Sequence, residues 1–363
     1  MVEWKKIEDI CDVFAGGDLP NNYIKANEPS AEYLYPIYSN GIGEKSLYGY
    51  SDSYRVNDAS ITISARGTIG YHTIRDPYFT PIVRLITLIP KNKNSINLSY
   101  LNEALYMTNI DGTKGGIPQL TVPVVSKISV PVPSLSEQQR IVGILDTFTS
   151  SIENLKEQIA HRRKQYEYYR DQLLDLEGKE GVKQIVLKDV CDVINGRAYS
   201  QPELLSEGKY RVLRVGNFFS NDSWYYSDLE LEDKYYCNEG DLLYAWSASF
   251  GPHIWEEEKV IYHYHIWKMN CKEGLQTKYM YYWLQSEDMK KKAFSNLHGA
   301  TMAHLTKVLM ESLKVPIPSF SEQQRIVSIL DTFEASIANL EAQLAQREKQ
   351  YEYYRNKLLT FSE

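Results

Sequence analysis

Apolar positions recur at alternating steps of four and three along two stretches of the chain. In the first, Ile141, Leu145, Phe148, Ile152, Leu155, Ile159, Arg162, Tyr166, Tyr169, Leu173 and Leu176 mark one stripe; in the second, Ile326, Leu330, Phe333, Ile337, Leu340, Leu344, Arg347, Tyr351, Tyr354, Leu358 and Phe361 repeat it. Such spacing is a heptad seam and predicts two long helices that each need a partner along the whole length. Residues 136–177 and 321–362 align without a gap and share 28 of 42 positions, 185 residues apart. A helix of this size is about 63 Å long at 1.5 Å per residue, and its twin is the obvious partner. Ser134 with Glu137, Ser136 with Gln139, Ser319 with Glu322 and Ser321 with Gln324 all fit capping boxes at the helix starts.

Each long stripe follows a block of different character. The blocks open on similar segments, Trp4 to Gly17 and Val186 to Gly196, each a short amphipathic run stopped by glycine. Strands are predicted at Ser60–Ser64 and Val83–Ile89 in block one, and at Tyr210–Val215, Asp241–Trp246 and Val260–Lys268 in block two, from their β-branched content and alternation. Helices are expected at Leu98–Met107 and Lys278–Phe294. Pro131 with Pro133, and Pro316 with Pro318, stiffen the exit into each long helix. The fold class is therefore α+β: two mixed, sheet-rich domains joined by two long helices.

The pattern also predicts a direction. Residues 178–183 are too few for a long connection, so block two begins where the first helix ends, and the second helix runs back. An antiparallel coiled coil follows if the ends of each block lie close together. Arginines agree: a parallel pair sets Arg162 against Arg347, whereas the antiparallel pair sets Arg347 opposite Leu155 and Arg162 opposite Leu340. We expect a dumbbell with pseudo-two-fold symmetry.

Composition narrows the functional classes. At 363 residues and 43% apolar content the chain can bury real cores, and its formal charge of −7 is spread so that no segment is basic. Such a chain alone would grip DNA weakly, because phosphate neutralisation supplies most non-specific affinity. No run of 18 apolar residues occurs, and the leading Met-Val-Glu-Trp-Lys-Lys does not resemble a signal peptide, so a cytoplasmic protein without membrane contact is expected. Cys11, Cys191, Cys237 and Cys271 lie far apart; Cys11 and Cys191 occupy matching places and read as small core residues.

Catalytic motifs are missing from the sequence. There is no Pro-Pro of the kind a base-flipping methyltransferase loop uses, and no phosphate-loop glycine-lysine motif. Phe14-Ala15-Gly16-Gly17 lacks the spacing of a cofactor loop and reads as a stop. Pro202, Glu203, Glu207 and Lys209 only faintly echo a nuclease cluster. His263 and His265 would share one strand face, but two ligands without a third are more often packed or DNA-facing than metal-bound. No metal or cofactor is expected on this chain.

The doubled Pro-x-Pro-Ser-(Leu/Phe)-Ser-Glu-Gln-Gln-Arg-Ile-Val at Pro131–Val142 and Pro316–Val327, each followed by Ile-Leu-Asp, resembles the specificity (S) subunits of type I restriction-modification systems. Weaker similarities are Arg66-Gly67-Thr68-Ile69-Gly70, the Val212–Asn217 segment and the pairs Leu120-Thr121 and Leu305-Thr306. Block two has Trp246-Ser247-Ala248-Ser249-Phe250-Gly251 in place of the Arg-Gly-Thr-Ile-Gly form, so roles there do not transfer. The resemblance implies target recognition domains at 1–135 and 186–320, spacer helices at 136–177 and 321–363, and a linker at 178–185. It also implies a non-catalytic subunit in which each domain reads half of a bipartite, asymmetric site on double-stranded DNA and the helices set the gap. Two modification subunits would supply adenine N6 methylation from S-adenosylmethionine, and restriction subunits would supply ATP- and magnesium-dependent translocation and cleavage. The rivals are a coiled-coil adaptor with two protein-binding ends and a self-sufficient methyltransferase or nuclease.

Reading bases requires Arg or Lys for guanine, Asn or Gln for adenine and apolar groups for the thymine methyl. Block one offers Asn40, Lys45, Tyr48, Tyr50, Arg66, Lys114 and Gln119. Block two offers Arg197, Tyr199, Arg214, Asn217, Trp246, Ser247, His253, His298, Thr301 and His304. Lys290, Lys291 and Lys292 form the densest basic run and are candidate phosphate contacts. Tyr168, Tyr353, Leu174 and Leu359 fall outside the seam and are candidates for docking the modification subunits.

Overall fold

Short strands bring the two ends of each block together. In the computed structural model, which describes residues 2–108, 110, 118–219, 221–247, 249–294 and 305–361, Glu3–Lys6 pairs antiparallel with Ser129–Val132. Lys183–Val186 and Lys314–Ile317 form the same ribbon in the second block. Pro131 and Pro316 sit in these ribbons because a two-stranded pair leaves one side of each strand without a partner, where a missing N–H is tolerated.

The chain divides into two compact units: Met1–Lys156 with Gln343–Glu363, and Glu157–Ala342. In the first unit an antiparallel sheet runs in the order Cys11–Ala15, Ile86–Pro90, Ser60–Ile63, His72–Arg75. A second sheet places Tyr35–Tyr38 parallel to Thr80–Pro81. The second unit follows the same plan. Its antiparallel sheet is Cys191–Asn195, Ile266–Cys271, Leu242–Ser247, Ser249–Ile254, and Tyr210–Leu213 lies parallel to Val260–Tyr262.

Two expected strands are each divided. Val83–Ile89 becomes a turn followed by Ile86–Pro90, and Val260–Lys268 becomes Val260–Tyr262 and the start of Ile266–Cys271, which belong to different sheets. Alternation reads straight through such a corner because the residues on both sides are equally β-prone. His263 and His265 consequently occupy a turn rather than one strand face. The helix expected over Lys278–Phe294 is also divided, into Thr277–Gln285 and Glu287–Phe294, because the Ser286 hydroxyl accepts from Met289 N at 3.2 Å and starts a new helix.

The long helices, Leu135–Leu174 and Phe320–Leu359, are unbroken. Within the first unit Phe148 stacks on Tyr354 at 5.2 Å and Lys156 pairs with Glu348 at 3.5 Å. Within the second, Tyr169 stacks on Phe333 at 5.5 Å and Arg163 pairs with Glu341. Numbers rise on one helix as they fall on the other, so the pairing is antiparallel in each unit, in the register that sets Arg347 opposite Leu155 and Arg162 opposite Leu340. Neither arginine is deeply buried. Arg347 lies over the Phe148 ring at 5.7 Å and Arg162 over Phe333 at 5.8 Å, so each charge is met by an aromatic face. Ile152 and Leu155 in the first unit and Ile159 in the second are buried seam residues, while Ile337 and Leu340 are half-buried.

Of the off-seam residues, Leu174 and Leu359 are only 3% and 2% exposed, each in the core of its own unit. They are not docking surface: the last helical turn packs on the domain instead of the partner helix, which rotates the buried face. Tyr168 and Tyr353 are 58% and 59% exposed. Ser134 and Ser319 cap the helices, accepting from Glu137 N and Glu322 N at 3.4 and 3.3 Å. Cys11 and Cys191 are buried core residues.

The Glu-Gln-Gln-Arg motif has a structural meaning. Gln138 is fully buried; its amide accepts from Asn97 N at 2.8 Å and donates to the carbonyls of Ser95 and Pro133 at 2.9 Å. Gln323 repeats this, accepting from Gln276 N and donating to the carbonyls of Gly274 and Pro318. One amide thus ties the start of the long helix to the N-terminus of the domain helix that precedes it in the chain.

Candidate nucleic-acid interface

In both units a glycine lets the chain cross closely over the strand that ends the parallel pair. A Cβ on Gly16 would stand 2.7 Å from the Pro81 carbonyl, and one on Gly196 would stand 2.4 Å from that of His263. Immediately after each crossing comes a four-residue turn, closed by Leu85 N donating to Ile82 O in the first unit and by Ile266 N donating to His263 O in the second, both at 3.0 Å. Each turn stands beside a cavity.

In the first unit the cavity is about 390 Å³ and is lined by Arg66, Arg84, Gln119 and Gly16 among others. Arg66 Nη2 donates to Gln119 Oε1 at 3.1 Å, so these two candidates converge. Asn40 does not face the cavity as a reader: its Nδ2 donates to Val83 O at 3.0 Å and its Oδ1 accepts from Ala65 N at 2.7 Å. Both ends of the amide are spent on backbone, which makes Asn40 a positioning residue. Lys45 is exposed on the Gly43–Ser46 turn. Tyr48 is half-buried, with Lys25 over its ring at 4.9 Å, and the Tyr50 hydroxyl donates to Asn27 O at 3.4 Å. Lys114 lies outside the described residues.

The cavity of the second unit is about 430 Å³ and is lined by Arg214, Asn221, Tyr225, His263, Tyr264 and His265 among others. Arg214 is exposed and lies over the Tyr225 ring at 5.2 Å. Burial first, then the like charges of His265 and Arg214, push His263 down to about 4, so its imidazole is neutral at neutral pH. Asn217 matches Asn40 in use, accepting from Arg214 N and donating to the carbonyls of Asn221 and Ser223 at 3.0 Å.

Other candidates are engaged elsewhere. Arg197 pairs with Glu203 at 2.6 Å, and its hydrogen bond is the largest of the causes that hold Glu203 down to about 2. Tyr199 lies beneath the Arg197 guanidinium at 5.1 Å. Trp246 Nε1 donates to Tyr264 O at 2.9 Å and its ring stacks on Trp267 at 5.6 Å, while Ser247 is buried. His253 is held low by burial. Lys290 pairs with Glu287 and Lys292 with Glu177 and Asp288, leaving Lys291 as the exposed lysine of the run without an ion pair among the described residues. His298, Thr301 and His304 lie outside the described residues.

Val83 and Arg84, expected in a strand, stand at the centre of the first turn. Both have positive φ, 53° and 61°, although neither is glycine and valine is β-branched. Holding such a residue there costs of order 1–3 kcal/mol, which the surrounding hydrogen bonds must offset. In the sequence the Val83–Ile89 run after Pro81 reads as strand from its β-branched content.

Among the described residues no three histidine, cysteine or carboxylate side chains are grouped to hold a metal, and no helix is long and apolar enough to cross a membrane. What the two units offer is a repeated frame with differently lined recesses. The sequence model of the family described as "Type I restriction modification DNA specificity domain" matches residues 1–161 and again 179–348. The chain belongs to this family and is a type I restriction-modification specificity subunit. It is 27% identical to a Haemophilus influenzae protein assigned as a type I restriction enzyme specificity subunit, over 99% of this chain and 96% of that one. A specificity subunit from Escherichia coli is 26% identical over 99% and 94% of the two chains. Among solved structures, the type I S subunit of M. genitalium is 17% identical and matches with a TM-score of 0.60 over 100% of this chain and 97% of that one. A chain from a study of type I system assembly and conformational transition matches at 0.61, with 16% identity over 99% and 96%. These two likenesses are of fold.

Proposed function

We propose that each unit reads one half of a bipartite, asymmetric site on double-stranded DNA and that the paired helices set the unread gap. The chain itself is non-catalytic. Two modification subunits dock on it and supply adenine N6 methylation from S-adenosylmethionine, and restriction subunits supply ATP- and magnesium-dependent cleavage; the complex works in the cytoplasm. One observation carries this reading: a glycine crossing followed by a four-residue turn recurs in both units, but with Arg84, Arg66 and Gln119 around one recess and Tyr264, His265 and Arg214 around the other. A shared frame with different contact groups suits two different half-sites. The net charge of −7 fits a subunit whose partners provide much of the phosphate grip.

The test is the methylome of cells expressing the chain with its modification subunits. A bipartite adenine-methylated motif is expected, and replacing residues 1–135 by the corresponding block of a relative should change one half only. An unchanged motif would refute the assignment.

A further inference from the structure

The turn Ile82–Leu85 of the first unit is locked from every side. Val83 N donates to Gly17 O and Arg84 N to Gly16 O, both at 3.0 Å, while Gly16 N donates to Leu85 O at 2.8 Å. Asn40 Nδ2 holds the Val83 carbonyl from outside. The backbone is over-determined, yet the side chains it presents touch little: Val83 is 49% exposed, and the Arg84 side chain is exposed and makes no ion pair or hydrogen bond with the described residues. A strained turn that shows solvent a valine and an unpaired arginine has no stabilising role for those side chains.

Resting on the proposed reading of DNA, we infer that this turn is the base-reading tip of the first unit. Arg84 donates its guanidinium fork to O6 and N7 of a guanine in the major groove, and Val83 packs on a neighbouring apolar base edge such as a thymine methyl. The alternative for a free arginine is a phosphate contact. Phosphate needs charge but little orientation, whereas a bidentate base contact needs the fork held at a set place and angle. A locked left-handed turn provides orientation, and the exposed valine beside it suits a base edge rather than a phosphate. Arg66, hydrogen-bonded to Gln119 across the same recess, stands where it can flank the reading position.

The second unit supports the same role for the same place. Tyr264 N donates to Arg197 O at 3.1 Å as Val83 N does to Gly17 O, and Gly196 N donates to Ile266 O at 3.1 Å as Gly16 N does to Leu85 O. At the two central positions, however, stand Tyr264 and His265, neither with positive φ. The place of the turn and its backbone ties are kept while its handedness and contact groups change, as expected of a position that sets sequence preference.

The experiment uses the complex of the full chain with its modification subunits, read by its methylated motif and by binding to duplexes varied one base pair at a time. Arg84→Ala should relax a single guanine position in the half read by the first unit and lower affinity for the cognate duplex about 10- to 100-fold. The other half should stay unchanged. Arg84→Gln should move the preference at that position toward adenine. Arg84→Gly, which suits the positive φ, guards against a folding artefact: it should keep thermal stability and still lose the guanine. Uniform weakening on all sequences, with a salt slope shallower by about one, would make Arg84 a phosphate contact and overturn the inference. So would a bipartite motif unmoved by Arg84→Ala. A wild-type complex without a bipartite motif would instead overturn the reading beneath it.

Discussion

The two joints between domain and long helix use one set of positions with the hydrogen-bond polarity exchanged. In the first unit the domain helix Leu98–Leu105 carries the carboxylate, and Tyr351 of the long helix donates to Glu103 at 2.9 Å. In the second the domain helix Thr277–Gln285 carries the donor, and Tyr282 donates to Asp331 at 2.5 Å and Glu334 at 2.9 Å. Tyr166, the repeat equivalent of Tyr351, donates to Gln285 and Glu334. The equivalents of Asp331 and Glu334 in the first helix are Asp146 and Thr149. Near-identity of the helices therefore preserves where the domain sits but not which side holds the charge. The joints share geometry and differ in electrostatics, so the domains are not freely exchangeable between them.

The largest effect should come from forcing the first joint's residue into the second. Tyr282→Glu puts a carboxylate at a fully buried position beside Glu334 and Asp331, the latter paired with Lys278 at 2.7 Å, and should cost about 3 kcal/mol, since the new charge loses solvent and meets like charges. Adding Glu334→Thr recreates the residue set of the first joint and should recover more than half of that loss. Five of the six tryptophans lie in the second unit, so fluorescence-detected urea unfolding of the full chain reports mainly on this joint. A double variant no more stable than the single one would break the comparison.

Tyr282→Phe should cost about 1.5–3 kcal/mol in the same assay, the range for hydrogen bonds to charged acceptors. Gln138→Ala and Gln323→Ala should each cost about 1–3 kcal/mol, because each strands a buried backbone N–H. Here the units are alike, so hydrogen exchange at Asn97 and Gln276 should rise by similar amounts; unequal increases would show that the joints differ in more than polarity.

The smallest effect is the most diagnostic of charge. Burial holds Glu103 and Glu334 above the ordinary carboxylate value of 4.5. The folded chain then binds more protons than the unfolded chain in the window just above 4.5, so these groups make stability fall as pH rises through it, and the loss is absent below it. Glu103→Gln should change stability by about 1 kcal/mol at neutral pH. As pH falls through the window, the balance should shift toward the unsubstituted chain. A difference that stays flat with pH would mean Glu103 is not held in its charged form at a cost.

In the candidate interface, residue type was legible in the sequence, whereas conformation and partner were not. Arg66, Gln119 and Arg214 do line recesses. Asn40 and Asn217, candidates for base reading by residue type, hold backbone rather than face outward. Arg197 and Lys292 are each taken by carboxylates: Glu203 six positions away for the one, and for the other both Asp288, four positions away, and Glu177, more than a hundred. Val83 and Arg84 were assigned to a strand because nothing local announces a left-handed valine.

The sequence by itself determined the two long helices, their antiparallel direction and the repeated plan of the domains, because heptad spacing, a short linker and misplaced arginines are local or additive signals. It also determined the family, through a motif whose buried glutamine ties helix to domain. Only the tertiary structure decided the strained turn, the exchanged polarity of the joints and which charges remain free. Those depend on what a side chain meets across the fold, and a carboxylate, a ring or a backbone carbonyl brought there by folding leaves no mark at the position it satisfies.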